Sequence, residues 1–331
     1  MGSHLIRALR AAVEALGGRA ARDQPSRSER LILFFNTMWG QPLEPGPEPL
    51  PEGFRITTDV RRFAAAAVVV FHVPSLHAQP SQPKPPGQLW VAWSKECDVN
   101  YPQLRDPAYM GQFDLAMTYR LDADVAITYT SYYGAVADFV RALRQPPRPK
   151  TPDKLAALFI SSPFNRSGRL DYAVELMRHM DVHSYGKVLQ NRQLVPDQGR
   201  PTKLAVIAGY KFTLAFENAV GEDYVTEKFF DPLVAGSVPV YLGAPNVETF
   251  APGDRCFINT ADFRSPKELA EYLLDLQRDG PAYEAYFAWK ERPFRPSFLS
   301  LLAGQETPRD VRLCYAIQAR RGEGGERGPV R

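Results

Sequence analysis

The chain has 331 residues, a hydrophobic fraction of 44% and a formal net charge of +3. At about 100–200 residues per domain this length predicts two domains, and the apolar content is that of a chain with hydrophobic cores. A wholly disordered chain is therefore excluded, the charge is too small for a nucleic-acid binder, and no apolar run reaches the about 18 residues of a membrane span.

Residues 1–30 are predicted to be an extension ahead of the first folded domain. Residues 1–4, Met-Gly-Ser-His, look like a cloning remnant. Residues 5–16 have the apolar spacing of a short helix, with Arg7 and Arg10 on its polar side. A helix packed on the domain, or a loose terminus, is the simpler interpretation. Contact of this basic amphipathic helix with a membrane surface is the alternative.

Residues 31–145 are predicted to form a first α/β domain. Two proline clusters, at 42–51 and 74–86, must be loops, because proline lacks the N–H that a helix or a central strand needs. A helix is predicted over 135–144. Four apolar runs have the length and composition of strands: 31–35, 68–73, 89–93 and 113–119.

A third proline cluster at 146–152 is predicted to be a stiff linker to a second α/β domain over 153–319. The tail 320–331 is rich in Gly, Arg and Glu and is predicted to be flexible. Two such domains would face each other across a cleft, with ligands at the carboxyl ends of the strands. The predicted strands and helices of the second domain are strands 155–160, 181–185, 211–216 and 238–242 and helices 167–180, 226–235 and 266–277.

The segment 216–228 has the highest density of polar side chains that could take part in binding or catalysis. A predicted strand ends at Phe216, and a predicted helix begins near Thr226, which is a plausible N-cap. Free N–H groups at such a helix start attract anions, and Lys228 adds a positive charge suited to phosphate. A lysine there opposes the helix dipole, and such broken local rules often mark functional sites. The alternative is that Glu227 and Lys228 are ordinary solvated charges.

Several other site classes find no support in the sequence. Neither a dinucleotide-binding GxGxxG nor a phosphate-binding GxxxxGK[ST] occurs. The three cysteines have no CxxC spacing, which argues against a disulfide framework and favours a reducing compartment. Asp122 and Asp124 are better explained as loop carboxylates than as metal ligands, and His179 and His183 as surface histidines.

Four segments of the second half form a distinctive combination: Phe-Thr-Leu-Ala-Phe-Glu-Asn at 212–218, Asp-Tyr-Val-Thr-Glu-Lys at 223–228, Leu-Val-Ala-Gly-Ser-Val-Pro-Val at 233–240 and Gly-Ala-Pro-Asn-Val at 243–247. Together they resemble the signature of the α1,3-fucosyltransferases, most closely those acting on the core GlcNAc of N-glycans. A fifth segment, Trp-Ser-Lys-Glu at 93–96, looks like the family's acceptor-domain motif.

This resemblance implies a GT-B glycosyltransferase, in which two Rossmann-like domains face a cleft. It implies an inverting enzyme that needs neither a metal nor another cofactor. GDP-fucose would be the donor, and a glycan carrying GlcNAc, or glucose, would supply the 3-hydroxyl of the acceptor. A GT-B enzyme using another nucleotide sugar, and an inactive sugar- or nucleotide-binding relative, are the alternatives.

The resemblance also implies roles for individual residues. Glu96 would be the general base, and Lys228 and Lys187 would stabilise charge on the leaving β-phosphate. Tyr224 or Tyr185 would stack on guanine, or both would be core aromatics. The complete donor site would consist of Tyr185, Lys187, Asn218, Tyr224, Glu227 and Lys228.

The chain departs from animal relatives in lacking their membrane anchor and their several cysteines. Its Ala-, Arg- and Pro-rich composition favours a bacterial, cytoplasmic protein. A location in the Golgi lumen is the alternative if the sequence is a truncated eukaryotic chain.

Overall fold

A computed structural model describes residues 29–43, 45–78, 80–151 and 153–322. The predicted helix at 5–16, Pro152 of the predicted linker, and residues 323–331 of the predicted tail lie outside the described residues. Two parallel β-sheets, each flanked by helices, form the framework. Among the residues that the structure describes, no helix combines the length and apolar character needed to cross a bilayer.

The first sheet has six parallel strands in the order β2-β1-β3-β4-β5-β6. Its central strand β3 is buried along its whole length, as its continuous apolar run predicts. β2 and β6 were not predicted, because such short segments carry little apolar signal. The strands are β1 Arg30–Phe34, β2 Phe54–Thr57, β3 Val68–His72, β4 Leu89–Ser94, β5 Leu115–Thr118 and β6 Val125–Ala126.

The second sheet has five parallel strands in the order β11-β10-β9-β7-β8. β9 is fully buried and leads directly into the polar segment that begins at Glu217. The strands are β7 Ala156–Leu158, β8 Val182–Ser184, β9 Phe212–Phe216, β10 Val238–Leu242 and β11 Ile258–Asn259.

Four of the helices correspond to the predicted ones: α2, α3, α5 and α6. Gly236, with φ +74°, ends α5 in the left-handed conformation that favours glycine at this position. The helices are α1 Pro107–Met110, α2 Val136–Leu143, α3 Arg169–Leu176, α4 Arg200–Ile207, α5 Glu227–Ala235, α6 Pro266–Arg278, α7 Gly280–Glu284, α8 Pro296–Glu306 and α9 Arg309–Arg320.

The last helix corrects the predicted extent of the second domain. Leu313, Cys314 and Ile317 of α9 belong to the hydrophobic core of the first sheet. The prediction that all of 153–319 belongs to the second domain is therefore wrong at its end, because the apolar face of α9 is buried against the other sheet. The predicted tail also starts too early, since Arg320 is helical and the Arg321 guanidinium donates to the carbonyl of Ala67.

The Pro-rich segment is packed onto the structure that follows it. The Thr151 N–H donates to the Gly209 carbonyl at 3.0 Å, and the Lys150 ammonium donates to the carbonyls of Ala208 and Gly236. We refer below to residues 29–145 as the first half and to residues 146–308 as the second half. That a domain boundary lies at 146–152 stays a prediction.

The two halves share a hydrophobic core. Phe139 and Leu143 of α2 belong to the same buried cluster as Phe229 and Phe230 of α5. Because this shared core lies beside the start of α5, it fixes the polar segment of the second half relative to the first. The α/β fold with two parallel sheets agrees with the predicted fold class.

Candidate active site

Glu96 lies in the loop that follows β4. The Ser94 hydroxyl accepts the Glu96 N–H at 3.0 Å and donates to the Glu96 carbonyl at 3.1 Å, which fixes the start of the loop. The side chain of Tyr224, from the second half, lies near the Glu96 carboxylate and favours its ionised form. Burial raises the pKa of Glu96 in spite of the nearby Lys228 ammonium. A half-buried carboxylate with a raised pKa is suited to accepting a proton.

The end of β9 and the start of α5 form the opposite wall. Thr226 is the N-cap of α5, as predicted, and its hydroxyl accepts the Lys228 N–H at 3.3 Å. The fully buried Glu217 carboxylate accepts both the Thr226 N–H and the Thr226 hydroxyl at 2.8 Å. Gly243 permits this packing, since a Cβ there would lie 2.6 Å from Cγ of Glu217.

Lys228 is held between two carboxylates. Its Nζ lies 3.0 Å from Thr226 Oγ1, 3.1 Å from Glu227 Oε1 and 3.4 Å from Glu217 Oε2. Burial disfavours the ammonium, but Glu227 and Glu217 outweigh it and raise the pKa of Lys228. Burial likewise disfavours the Glu227 carboxylate, yet Lys228 and Lys203 lower the pKa of Glu227 to about 2. The lysine that opposes the helix dipole is thus stabilised by these two acids.

The structure brings together five of the seven predicted site residues. Tyr224 and Lys228 lie close enough to Glu96 to act on the pKa of its carboxyl, and Glu227 and Lys228 lie on the first turn of α5. Asn218 follows Glu217 and accepts a hydrogen bond from Asn100 Nδ2 at 3.0 Å. A second hydrogen bond runs from the Leu121 N–H to the Asp223 carboxylate at 3.0 Å. These two bonds join the first half to the second half at the site.

The packing of Tyr224 and Tyr185 bears on the two alternatives stated for them, stacking on guanine or a place in the core. The Tyr224 ring is only 2% exposed and packs 5.2 Å from Tyr119 and 6.1 Å from Tyr129, so it has no open face for a base. It is a core aromatic, the alternative stated above. Tyr185 already stacks on Phe159 at 5.1 Å and is hydrogen-bonded through its hydroxyl to Tyr210.

Lys187 is exposed in the loop after β8. Within the described part of the chain, neither Tyr185 nor Lys187 shares a hydrogen bond or ion pair with the cluster around Lys228. A donor-binding role for Tyr185, Lys187 or Asn218 therefore stays a prediction.

Three charged residues of the site were missed. Glu217 and Lys95 lie next to predicted site residues in the sequence. Burial lowers the pKa of Lys95 to about 8. The Lys95 ammonium lies 3.9 Å from the centre of the Tyr132 ring. Arg169 begins α3, is only 1% exposed, and donates to the carbonyls of Phe216 and Ser162. Its Nε is buried with no partner. Glu217 and Lys95 could have been identified from their position beside a motif, but no feature of the sequence indicated Arg169.

The described residues contain no group of three or more His, Cys, Asp or Glu side chains that could hold a metal ion. Asp122 is bound by the Arg120 guanidinium at 2.9 and 3.0 Å, and Asp124 accepts the Ala116 N–H at 2.7 Å. The two carboxylates thus have different structural partners. Transfer without a metal stays a prediction.

Comparison with known protein families shows to which family the chain belongs. Residues 27–130 match the family "Fucosyltransferase, N-terminal", and residues 149–325 match "Glycosyltransferase family 10 (fucosyltransferase) C-term". The chain belongs to glycosyltransferase family 10. A 4-galactosyl-N-acetylglucosaminide 3-alpha-L-fucosyltransferase FUT6 of Gorilla gorilla gorilla is 35% identical over 307 residues, covering 89% of this chain and 80% of the relative.

Two other relatives of this family 10 chain are matched over a smaller share of their length. A 3-alpha-L-fucosyltransferase 9 of Rattus norvegicus is 30% identical over 250 residues, covering 72% of this chain and 65% of the relative. A fucosyltransferase-like protein of Arabidopsis thaliana is 36% identical over 247 residues, covering 74% of this chain and 46% of the relative. The chain thus spans less than two thirds of either relative. These relatives are eukaryotic, and a bacterial origin stays a prediction.

Solved structures confirm the fold class. A crystal structure of an alpha1,3-fucosyltransferase superposes with a TM-score of 0.55 at 18% identity, covering 85% of this chain and 90% of that chain. A second, of an alpha1,3-fucosyltransferase with GDP, superposes with a TM-score of 0.52 at 17% identity, covering 85% and 91%. The family 10 chain therefore has the predicted GT-B architecture.

Proposed function

We propose that this family 10 protein is an inverting α1,3-fucosyltransferase. It moves L-fucose from GDP-fucose to the 3-hydroxyl of GlcNAc, including the core GlcNAc of N-glycans, or of glucose in a glycan. The observation that carries the proposal is the hydrogen bond between Asn100 and Asn218, which joins the loop that carries Glu96 to the segment leading into the ionised cluster at the start of α5.

Glu96 acts on the acceptor. It takes the proton of the 3-hydroxyl as that oxygen bonds to C1 of fucose on the face opposite the nucleotide. The bond from C1 to the phosphate oxygen breaks at the same time, and its electron pair leaves with GDP. A general base of this kind contributes typically about 10²–10⁴-fold to the rate.

Lys228 acts on the donor. The leaving β-phosphate gains negative charge, which the Lys228 ammonium and the N–H groups at the start of α5 stabilise. The contacts of Lys228 to Thr226, Glu227 and Glu217 hold its charge in place before the donor arrives. Arg169 adds positive potential from its buried position, and the ionised Glu227 balances positive charge developing on the fucose ring.

This mechanism needs no metal and no other cofactor, because cationic side chains neutralise the negative charge of the diphosphate. The compartment follows from the source of the chain: the cytoplasm for a bacterial protein, the Golgi lumen for a eukaryotic one. Contact of residues 5–16 with a membrane surface remains the alternative stated above.

A donor panel tests the proposal. The protein is incubated with GDP-fucose, GDP-mannose, UDP-GlcNAc or UDP-galactose and an array of LacNAc, chitobiose and core-GlcNAc glycans, with and without EDTA. We expect fucosylated product from GDP-fucose alone, α1,3-linked by NMR and insensitive to EDTA. Turnover of a different nucleotide sugar would establish the other-donor alternative, and nucleotide binding without any turnover would establish an inactive relative.

A further inference from the structure

Trp39 and Gly40 form the centre of a tight two-residue turn shortly after β1. The Met38 N–H donates to the Gln41 carbonyl at 2.8 Å, and the Gln41 N–H donates back at 3.0 Å. Trp39 has φ +52° and Gly40 has φ +82°. Two positive φ angles define a type I′ turn, whose first central position usually holds Asn, Asp or Gly. Tryptophan is unusual at the first central position of this turn, because a bulky L-residue is disfavoured in the left-handed region of backbone conformation.

The strained Trp39 does not serve the hydrophobic core. Its side chain is 53% exposed, although tryptophan is the largest apolar side chain available for burial. An unfavourable backbone that displays an aromatic ring to solvent adds nothing to the stability of the fold. Observed strain of this kind points to a role in binding.

Neighbouring side chains hold the Trp39 ring in position. Its ring centre lies 5.5 Å from that of His72 and 6.1 Å from that of Tyr101. The Trp39 N–H donates to the Ser75 hydroxyl at 3.1 Å, and the same hydroxyl lies 3.0 Å from Nδ1 of His72. The ring is thus exposed and at the same time fixed, which limits the entropy lost when a ligand binds.

Tyr101 connects this ring to the proposed base. The Tyr101 N–H donates to the carbonyl of Cys97, the residue after Glu96, at 3.2 Å. Burial and the nearby Glu96 carboxylate together raise the pKa of Tyr101. The preceding residue, Asn100, is docked on Asn218 of the second half. Trp39 packs on Tyr101, which lies in the loop that carries Glu96, so both rings lie on the first-half side of the site.

We propose that Trp39 and Tyr101 form a platform on which an uncharged pyranose ring of the acceptor glycan stacks, bringing its hydroxyl to Glu96. This inference rests on the proposed function. The C–H groups on one face of a pyranose carry weak positive charge, which matches the negative face of an aromatic ring. Buried His72 beside the platform is uncharged at neutral pH, because burial lowers its pKa to about 4. The platform therefore offers an uncharged aromatic surface to the sugar, and Trp39 is a residue for acceptor binding.

The substitution Trp39→Asn separates binding from stability. It creates an Asn-Gly sequence, the pair preferred in a type I′ turn, so we expect a higher Tm together with an acceptor KM about tenfold higher. The KM for GDP-fucose and the rate of GDP-fucose hydrolysis should stay unchanged. Trp39→Phe should keep most of the acceptor affinity. Tyr315→Ala, which removes a 47%-exposed aromatic ring from α9, is the control and should change neither quantity.

Three results would overturn the inference. A lower Tm with an unchanged acceptor KM would make Trp39 structural, a changed GDP-fucose KM would assign it to the donor, and a similar effect of Tyr315→Ala would make the loss non-specific. Failure of the proposed function is seen separately, as absence of transfer by the unsubstituted protein. In that case NMR titration of the Trp39 indole N–H with N-acetyllactosamine still tests the platform: a saturable shift supports it, and no shift overturns it.

Discussion

The side-chain amide of Asn100 donates a hydrogen bond of 3.0 Å to the side-chain oxygen of Asn218. Asn100 lies in the loop that carries Glu96, and Asn218 lies in the segment that leads to Lys228. Asn218 is nearly buried, so little water competes for the bond. This contact sets the proposed base of the first half against the donor side of the second.

We predict a measurable coupling between these two asparagines. A shielded hydrogen bond between neutral groups contributes about 1 kcal/mol, so Asn100→Ala and Asn218→Ala should each destabilise the protein and the double variant should lose about 1 kcal/mol less than their sum. Urea unfolding of the four proteins gives this value. Strictly additive losses would show that the bond contributes nothing to joining the halves.

Thr226 is predicted to be needed for its hydroxyl. Thr226→Ala removes the N-cap of α5 and one of the donors to the buried Glu217, so the free energy of unfolding should fall by about 2 kcal/mol. Thr226→Ser keeps the hydroxyl and should lose less than half of that. The comparison is made by thermal and urea unfolding. Equal losses in the two variants would assign the effect to the methyl group instead.

Replacing the cation between Glu217 and Glu227 should unfold the site. Lys228→Met leaves two carboxylates without their shared ammonium, for which we expect a loss of about 3–5 kcal/mol. Adding Glu217→Gln removes one of the uncompensated charges and should recover part of the loss. Lys267→Met on the exposed side of α6 is the matched control and should change stability by less than about 0.5 kcal/mol. No recovery in the double variant would contradict the charge-balance explanation.

His72 is predicted to make the fold sensitive to acid. Below about pH 6.5 the unfolded chain binds a proton that the buried, folded His72 binds only near pH 4, so the free energy of unfolding falls as the pH falls between these values. The full loss amounts to about 3 kcal/mol. Urea unfolding of the wild type and of His72→Gln from pH 7 to pH 4 isolates this contribution. Parallel pH profiles for the two proteins would contradict it.

The sequence predicted the framework where a local signal sufficed. Continuous apolar runs identified β3 and β10, and Thr226 was identified as the N-cap of α5. α9 was missed because its apolar face packs on a sheet whose strands lie more than 180 residues earlier in the chain. Local pattern carries no information about such a partner.

For the site, residue type alone was ambiguous. A tyrosine at position 224 could stack on a base or on Tyr119, and only the packing shows the second. Arg169 resembles any first-turn arginine until its burial is known. The resemblance to the fucosyltransferases supplied Glu96, Glu227 and Lys228 together, which spacing alone could not have linked across the two halves.

The most direct test of the central claim is the rate of fucose transfer by Glu96→Gln at saturating GDP-fucose. We predict a fall of at least about 10²-fold, because the amide cannot take the acceptor proton, with the Kd for GDP unchanged by calorimetry. Glu271→Gln, the same chemical change on the exposed side of α6, should transfer at the wild-type rate. Wild-type turnover by Glu96→Gln would remove Glu96 from the reaction and contradict the proposed mechanism.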